Sequence, residues 1–378
     1  MIPYGRQWID EDDIQAVVKV LRSDWLTTGP CVESFEKAFA EQVSAKYAVA
    51  VNSGTAALHA AMFALGIGPG DEVIVPAMTF AASANCVVFQ GGTPVFADVH
   101  PETLLIDPAK VEEKITEKTR AIIGVDYAGQ PCDWDRLRET ADRHNLRLVG
   151  DGCHALGAEY KGRKVGSLAG MTIFSFHPVK HITTGEGGMI TTDDEKLAQR
   201  MHIFRNHGIT TDHRHRESQG SWFYEMVDLG YNYRLTDFQC ALGISQLRKL
   251  PKFLKHRREI AARYDEAFSD LPAINPLAVR LDVLHAYHLY VVKIDFKRID
   301  IDRAALFTSL REKGIAINVH YIPVHLHPFY RNRFHTGPGM CPVAEKAYEE
   351  IISLPLFPGM SDVDVTTVIG AVRKAMMS

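Results

Sequence analysis

The sequence predicts an α/β fold: a large, mainly parallel sheet covered by helices on both faces, followed by a smaller C-terminal α+β unit. Two observations carry this. Short runs rich in Val, Ile and Phe alternate with helical patterns through the first two-thirds of the chain. Beyond about residue 250 the alternation gives way to a different pattern, with no repeats and no low-complexity linker. At 378 residues the chain has room for about two domains, which we place at residues 1–250 and 251–378.

The predicted strands are Ala48–Val51, Glu72–Val75, Pro94–Ala97, Ala121–Val125, Arg147–Val149 and Thr172–Phe176. Their continuous apolar runs are those of parallel strands buried on both faces. Between them the patterns at Ala56–Leu65, Ala81–Phe89, Pro108–Ile115 and Trp134–His144 read as crossover helices. Near the N-terminus Asp10–Leu21 is amphipathic, with Ile14, Val17, Val18 and Leu21 on one stripe and Asp10 as its cap. A long helix starts after Thr236 and runs toward Phe268, and Pro251 predicts a kink or break in it. The C-terminal unit reads as a strand at His288–Ile294, a helix at Arg303–Lys313 stopped by Gly314, and a strand at Ile317–Tyr321. A proline- and histidine-rich loop and helices at Val343–Ile351 and Val363–Met377 complete it.

Composition narrows the function. A net charge of −4, with 46% hydrophobic and 23% charged residues, is ordinary for a globular protein and far from the disordered class. No basic block is present, so a nucleic-acid partner is not expected. No apolar run approaches the roughly 20 residues that span a bilayer, and the first residues lack a secretory pattern. The expectation is a cytoplasmic protein with no membrane partner. Six cysteines lie far apart with no CxxC pair, which reads as reduced, mostly buried thiols. His320, His325 and His327 cluster, but no cysteine or carboxylate set accompanies them, so no metal is expected.

Four segments carry more than packing. Val51-Asn52-Ser53-Gly54-Thr55 follows a strand and opens a helix, leaving backbone N–H groups free for a phosphate; an ordinary Asn/Ser cap would look the same. Asp151-Gly152-Cys153-His154 closes a strand, where α/β sheets face their ligands. There Asp151 could hold a proton on a heterocyclic nitrogen, or simply make an Asx turn. Ser175-Phe176-His177-Pro178-Val179-Lys180, with Gly185-Glu186-Gly187-Gly188, sets a lysine in apolar, aromatic and Gly-rich surroundings. A buried lysine sheds its proton and condenses with aldehydes, whereas a solvated one does not. Leu229 to Asp237 forms a polar-aromatic loop before the long helix, with Thr236 as the cap. Phosphate cradle, acidic partner and lysine, in that chain order, are what pyridoxal 5'-phosphate asks of a protein.

These residues resemble the DegT/StrS-type nucleotide-sugar aminotransferases, fold-type I pyridoxal phosphate enzymes, over nearly the whole chain. Asn52–Leu58 is similar to the family's phosphate turn, and Pro76–Phe80 to the segment that stacks on the cofactor ring. Asp151–Ala158, Ser175–Lys180, Tyr231–Arg234, Val319–Tyr321 and Ser353–Pro358 are similar to its other signatures. The resemblance implies that Lys180 condenses with the cofactor aldehyde and shuttles a proton. It implies that Asp151 keeps the ring nitrogen protonated, with His154 near the ring face or its 3′-oxygen. Phe80 would stack on the ring, and Gly54, Thr55 and Ser175 would hold the phosphate. Asn232 would complete the phosphate site of a second protomer, making an obligate homodimer.

Within the family, Val125–Gly129, Ser175–Lys180 followed by Ile182–Thr184, and Tyr224–Arg234 look most like the pseudaminic acid branch. That branch implies L-glutamate as amino donor and the C4 ketone of a UDP-linked 4-keto-6-deoxy-N-acetylhexosamine as acceptor. Tyr4, Thr27, Thr28, Gly29, Arg234, His320 and Tyr321 resemble substrate-contacting segments. Arg214, in His213-Arg214-His215-Arg216, could meet a pyrophosphate or belong to a solvated loop. Gly150-Asp151-Gly152-Cys153 departs from the family's usual second acidic residue and small Ala/Ser residues. A C3-ketone or dTDP-linked substrate is the alternative. The family's sugar dehydratases carry histidine where Lys180 stands, and a non-catalytic sensor would need none of these groups.

Overall fold

The computed structural model describes residues 1–376 apart from 212 and 219, and leaves the side chains of residues 213, 215 and 217 undescribed. Its centre is a sheet built first from β1 (Tyr47–Val51), β2 (Glu72–Pro76), β3 (Thr93–Ala97), β4 (Thr119–Val125) and β5 (Arg147–Asp151). A hairpin of β6 (Glu159–Tyr160) and β7 (Arg163–Lys164) then leaves the sheet. The chain returns as β8 (Met171–Ser175) and β9 (Gly188–Thr192). The seven strands lie in the order β1-β9-β8-β5-β4-β2-β3, and β9 alone runs against its neighbours.

The strands form where the sequence is continuously apolar. Val73, Ile74, Val75, Ile122 and Ile123 are fully buried, and each such side chain contributes about 1.5–3 kcal/mol by leaving water. Helix Gly54–Leu65 is buried nearly all round, its alanines allowing it to lie close on β8 and β9. Asp10 and Asp13 form a reciprocal cap at the start of helix Glu11–Leu21. Two helices absent from the sequence reading, Pro30–Val43 and Glu195–Arg205, also pack on this core. The first is tied to the long helix by Asp237, whose carboxylate accepts the N–H groups of Gly29 and Cys31.

A second core gathers around β10 (Ile274–Pro276), β12 (Tyr290–Ile294) and β13 (Ile351–Leu354), an antiparallel sheet. Between the first two, β11 (Val283–Leu284) pairs instead with β6. Helices Arg303–Glu312 and Asp362–Met376 pack within this second core. The helix Asp237–Phe268 joins the two: Leu247, Leu250 and Leu254 lie in the first core, Ile260, Tyr264 and Phe268 in the second.

Three expectations are corrected. Pro251 does not break the long helix, which runs through it with helical backbone. The turns on either side are held by Lys249 with Asp10 and Asp13, by Gln246 with Asp13, and by buried Leu250 and Phe253, which outweighs one lost backbone bond. Ile317–Tyr321 is not a strand. Val319 N–H turns to its neighbour Asn318 Oδ1 and Tyr321 N–H to Met78 Sδ, leaving one bridge, Asn318 to Ser353. The helix expected to reach Ile351 ends at Glu350, because Ile351–Leu354 pairs with β12.

Candidate active site

β5 and β8 lie side by side and end on Asp151 and Ser175. Beyond their carboxyl ends opens a cavity of about 490 Å³. Asp151 is 6% exposed, and its Oδ2 accepts the Ser83 hydroxyl at 2.7 Å. Its Oδ1 accepts the Cys153 N–H at 3.2 Å. Thr79 Oγ1 is 2.8 Å from the same Ser83 hydroxyl, so three polar groups aim one carboxylate. Gly152 allows this turn to close: a Cβ there would sit 3.0 Å from Thr172 Cγ2 and 3.2 Å from the Ile173 carbonyl.

Across the cavity helix Gly54–Leu65 begins. Ser53 Oγ accepts the Ala56 N–H at 3.0 Å, while the N–H groups of Gly54 and Thr55 have no partner among the described residues. A Cβ on Gly54 would stand 3.0 Å from Ser175 Cβ and 3.4 Å from Cys153 Sγ. Glycine there keeps the helix N-terminus open to an anion.

Lys180 reaches into the same cavity, its Nζ 3.3 Å from His288 Nε2. Burial pushes its ammonium below the ordinary lysine range, Arg257 adds to that, and Cys153 and Asp151 oppose it. The His154 and His288 rings meet at a tilt of 44° with centres 4.3 Å apart, and burial holds both well below the usual histidine range. Both are therefore neutral at pH 7. Tyr321 Oη lies 3.0 Å from His154 Nε2, and the Nδ1 atoms of His154 and His288 have no partner among the described residues.

Phe80, 59% exposed, stands at the mouth with its ring 5.9 Å from Tyr321. Tyr4 and His320 also line the cavity, their rings 5.3 Å apart. His320 Nδ1 is 2.8 Å from Ser353 Oγ, and burial pushes this histidine down to about 3.

The other predicted residues lie elsewhere. Thr28 and Arg234 line a separate cavity of about 440 Å³ together with Arg205 and Asn206. Thr27 pairs with Thr236, and Gly29 donates to Asp237. Asn232 is exposed and bridges Asn206. Arg214 sits on a short helix, His213–Ser218, 3.4 Å from Glu33; the side chains of His213 and His215 lie outside the described residues. His325 pairs with Glu345, apart from His320, and among the described residues no group of three side chains is arranged to hold a metal ion.

Ser83 and His288 were not legible as site residues. Each is a lone polar residue, one in an apolar helix and one before a strand, joined to the site only by folding. An anion cradle, an aimed carboxylate and an uncharged-leaning amine around one cavity fit a phosphorylated pyridine aldehyde.

Comparison with known proteins agrees. Residues 7–373 match the pattern of the DegT/DnrJ/EryC1/StrS aminotransferase family. The chain belongs to that family. It is 45% identical over 374 residues to the Bacillus subtilis spore coat polysaccharide biosynthesis protein SpsC, covering 98% of this chain and 96% of that one. The Streptococcus pneumoniae protein Spr1654, solved in PMP- and PLP-forms, is 36% identical with TM-scores of 0.94 and 0.93, covering all of this chain and 99% and 98% of that one. Helicobacter pylori PseC, an aminotransferase of pseudoaminic acid biosynthesis, is 34% identical with a TM-score of 0.93, covering all of this chain and 99% of that one. The protein is thus a sugar aminotransferase of the fold-type I, pyridoxal phosphate-dependent architecture. Among the described residues no helix is long and apolar enough to cross a membrane.

Proposed function

We propose that this aminotransferase moves an amino group from L-glutamate to the C4 ketone of a UDP-linked 4-keto-6-deoxy-N-acetylhexosamine, with pyridoxal 5'-phosphate as cofactor. The observation that carries the reading is the convergence of Lys180, Asp151 and the open N-terminus at Gly54 on one cavity. When bound, the cofactor supplies an aldehyde to carry the amino group and a ring to accept the electrons released at the reacting carbon.

The chain's own groups do the rest. Gly54 and Thr55 N–H, with Ser175, bind the phosphate. Asp151 holds a proton on the ring nitrogen, aimed by Ser83 and Cys153. Phe80 would cover the ring, and His154, steadied by Tyr321, would lie near the ring face or its 3′-oxygen. Lys180, its ammonium disfavoured by burial, would be the amine that holds the cofactor through its aldehyde and would move a proton to or from the reacting substrate carbon. Tyr4, His320 and Tyr321 line the side on which the sugar sits and keep bulk water from the reacting atoms. In this reading the cleft lies between a unit of residues 1–250 and one of 251–378, the second contributing His288, His320 and Tyr321.

Charge supports a homodimer with shared sites. Glutamate carries two carboxylates and the nucleotide a diphosphate, yet no arginine lines the Lys180 cavity among the described residues. Arg205 and Arg234 border the other cavity, near exposed Asn232. The neighbouring segment exposes Trp222 (85%), Met226 (63%) and Leu229 (68%), an apolar stretch that a second copy would cover. In the shared site Asn232, Arg234 and Arg214 reach the partner's ligands, with Thr27, Thr28 and Gly29 beside them. We place the enzyme in the cytoplasm. The resemblance to the pseudaminic acid branch, and to PseC over the whole chain, supports the choice of sugar.

The test is incubation of the purified protein with glutamate and a panel of UDP- and dTDP-linked 3- and 4-ketosugars, followed by mass spectrometry. The reading predicts 2-oxoglutarate released in step with an aminated UDP-sugar, and none of either from Lys180→Ala. Amination of a dTDP-linked or C3 ketone alone would move the substrate assignment, and loss of a hydroxyl without amination would overturn the reaction.

A further inference from the structure

Arg257 is the most unusual charged group in the molecule. It projects from the middle of helix Asp237–Phe268, is 0% exposed, and has no carboxylate within ion-pair distance among the described residues. Its Nη1 donates to the carbonyls of Tyr287 (3.1 Å), His288 (3.2 Å) and Leu356 (2.8 Å). Its Nε and Nη2 have no partner among the described residues. Burying a cation without a counter-ion costs several kcal/mol, and three bonds through one nitrogen do not require a guanidinium. Packing alone therefore leaves the charge unexplained.

Its surroundings supply a reason. The segment it clamps is held on its other side too, because Ala286 and Leu289 donate to the carbonyls of Gly129 and Ala128. That segment carries His288, whose Nε2 faces Lys180 Nζ at 3.3 Å. We propose that Arg257 is a positioning residue that adds to burial in disfavouring the ammonium at Lys180, by placing an unneutralised positive charge close to the site while it fixes the His288 segment against that lysine. The inference rests on the reading of Lys180 as the residue that takes up the cofactor's aldehyde.

Burial is the largest influence lowering Lys180, and Arg257 adds its charge to it. Asp151 and Cys153, at the end of β5, favour the ammonium. His154, His181, His288 and His320 are kept neutral by burial, and the charge of Arg257 adds to that for His181 and His288. Arg257 itself is pushed down by burial to about 9, so it remains a cation at pH 7. Among the residues acting on Lys180 it is the one fixed positive charge, and like charges disfavour a second cation.

A pH titration of the holoenzyme's visible absorption band tests this without reference to turnover. The wild type is compared with Arg257→Met and Arg257→Gln, which remove the charge, and Arg257→Lys, which keeps it. The midpoint between the two band forms should rise by about one pH unit or more in the neutral variants, a tenfold change, and stay near wild type in Arg257→Lys. Gln retains donors for the carbonyls, so a rise in both neutral variants assigns the effect to charge. Neutral variants that fold and bind cofactor with an unchanged midpoint would overturn the inference. Should neither fold, a midpoint in Arg257→Lys raised as far would overturn it equally, and an unmoved one would support it. Failure of the underlying reading looks different: wild-type protein that develops no visible band with added pyridoxal 5'-phosphate.

Discussion

Ser83 Oγ lies 2.7 Å from Asp151 Oδ2, a buried bond between a crossover helix and the end of a central strand, 68 residues apart in the chain. The hydroxyl donates to the carboxylate and is itself steadied by Thr79. A hydrogen bond to a charged acceptor contributes about 1.5–3 kcal/mol. Ser83→Ala should therefore weaken cofactor binding about tenfold or more while leaving the fold intact. Spectrophotometric titration of the apoenzyme with pyridoxal 5'-phosphate measures this, and unchanged affinity would remove Ser83 from the site.

The buried histidines predict acid sensitivity with a definite sign. Burial lowers His285 and His320 to about 3 and His59 to about 4, and holds His154, His181 and His288 well below the ordinary value. In each case the unfolded chain takes up its proton first, near pH 6.5, so stability falls as pH drops from there toward 3. Each contributes about 1.4 kcal/mol per pH unit within that window. Asp126, raised by burial to about 7, works the other way between about pH 4 and 7. Burial raises Asp265 as well, and two carboxyls do not offset six imidazoles. The melting temperature should drop markedly between pH 7 and pH 5; a flat profile would show that these rings are hydrated in solution.

The apolar stretch at Trp222, Met226 and Leu229 should hold two copies together. Charged replacements, Met226→Asp with Leu229→Asp, should give a monomer by sedimentation that has lost transamination although its Lys180 cavity is intact. Mixing Lys180→Ala with Asn232→Ala should restore part of the activity, because the hybrid dimer keeps one complete site. A fully active monomer would contradict the sharing of sites.

The central sheet was legible because its strands are continuous apolar runs, and six of them lie within a residue or two of where the pattern puts them. β9 was not, since it emerges from the Gly-rich loop and ends in two threonines. Those threonines are buried only because Thr191 and Thr192 donate to the carbonyls of Gly166 and Gly170, a tertiary fact. Gly54, Asp151 and Lys180 stood out by residue type at strand and helix ends, where a backbone cradle, an acid and an amine have little structural reason to recur. His288 and Arg257 carry no such local mark. Their contacts, 108 and 31 residues distant in the chain, come from the fold closing the C-terminal segments over the sheet.

The proposed condensation of Lys180 with a cofactor aldehyde is open to direct chemical capture. The holoenzyme is reduced with borohydride, digested, and its peptides weighed. A pyridoxyl-phosphate mass on the peptide containing Lys180, with loss of the yellow colour, is the predicted result. The same mass on another lysine, or on none, would contradict the account.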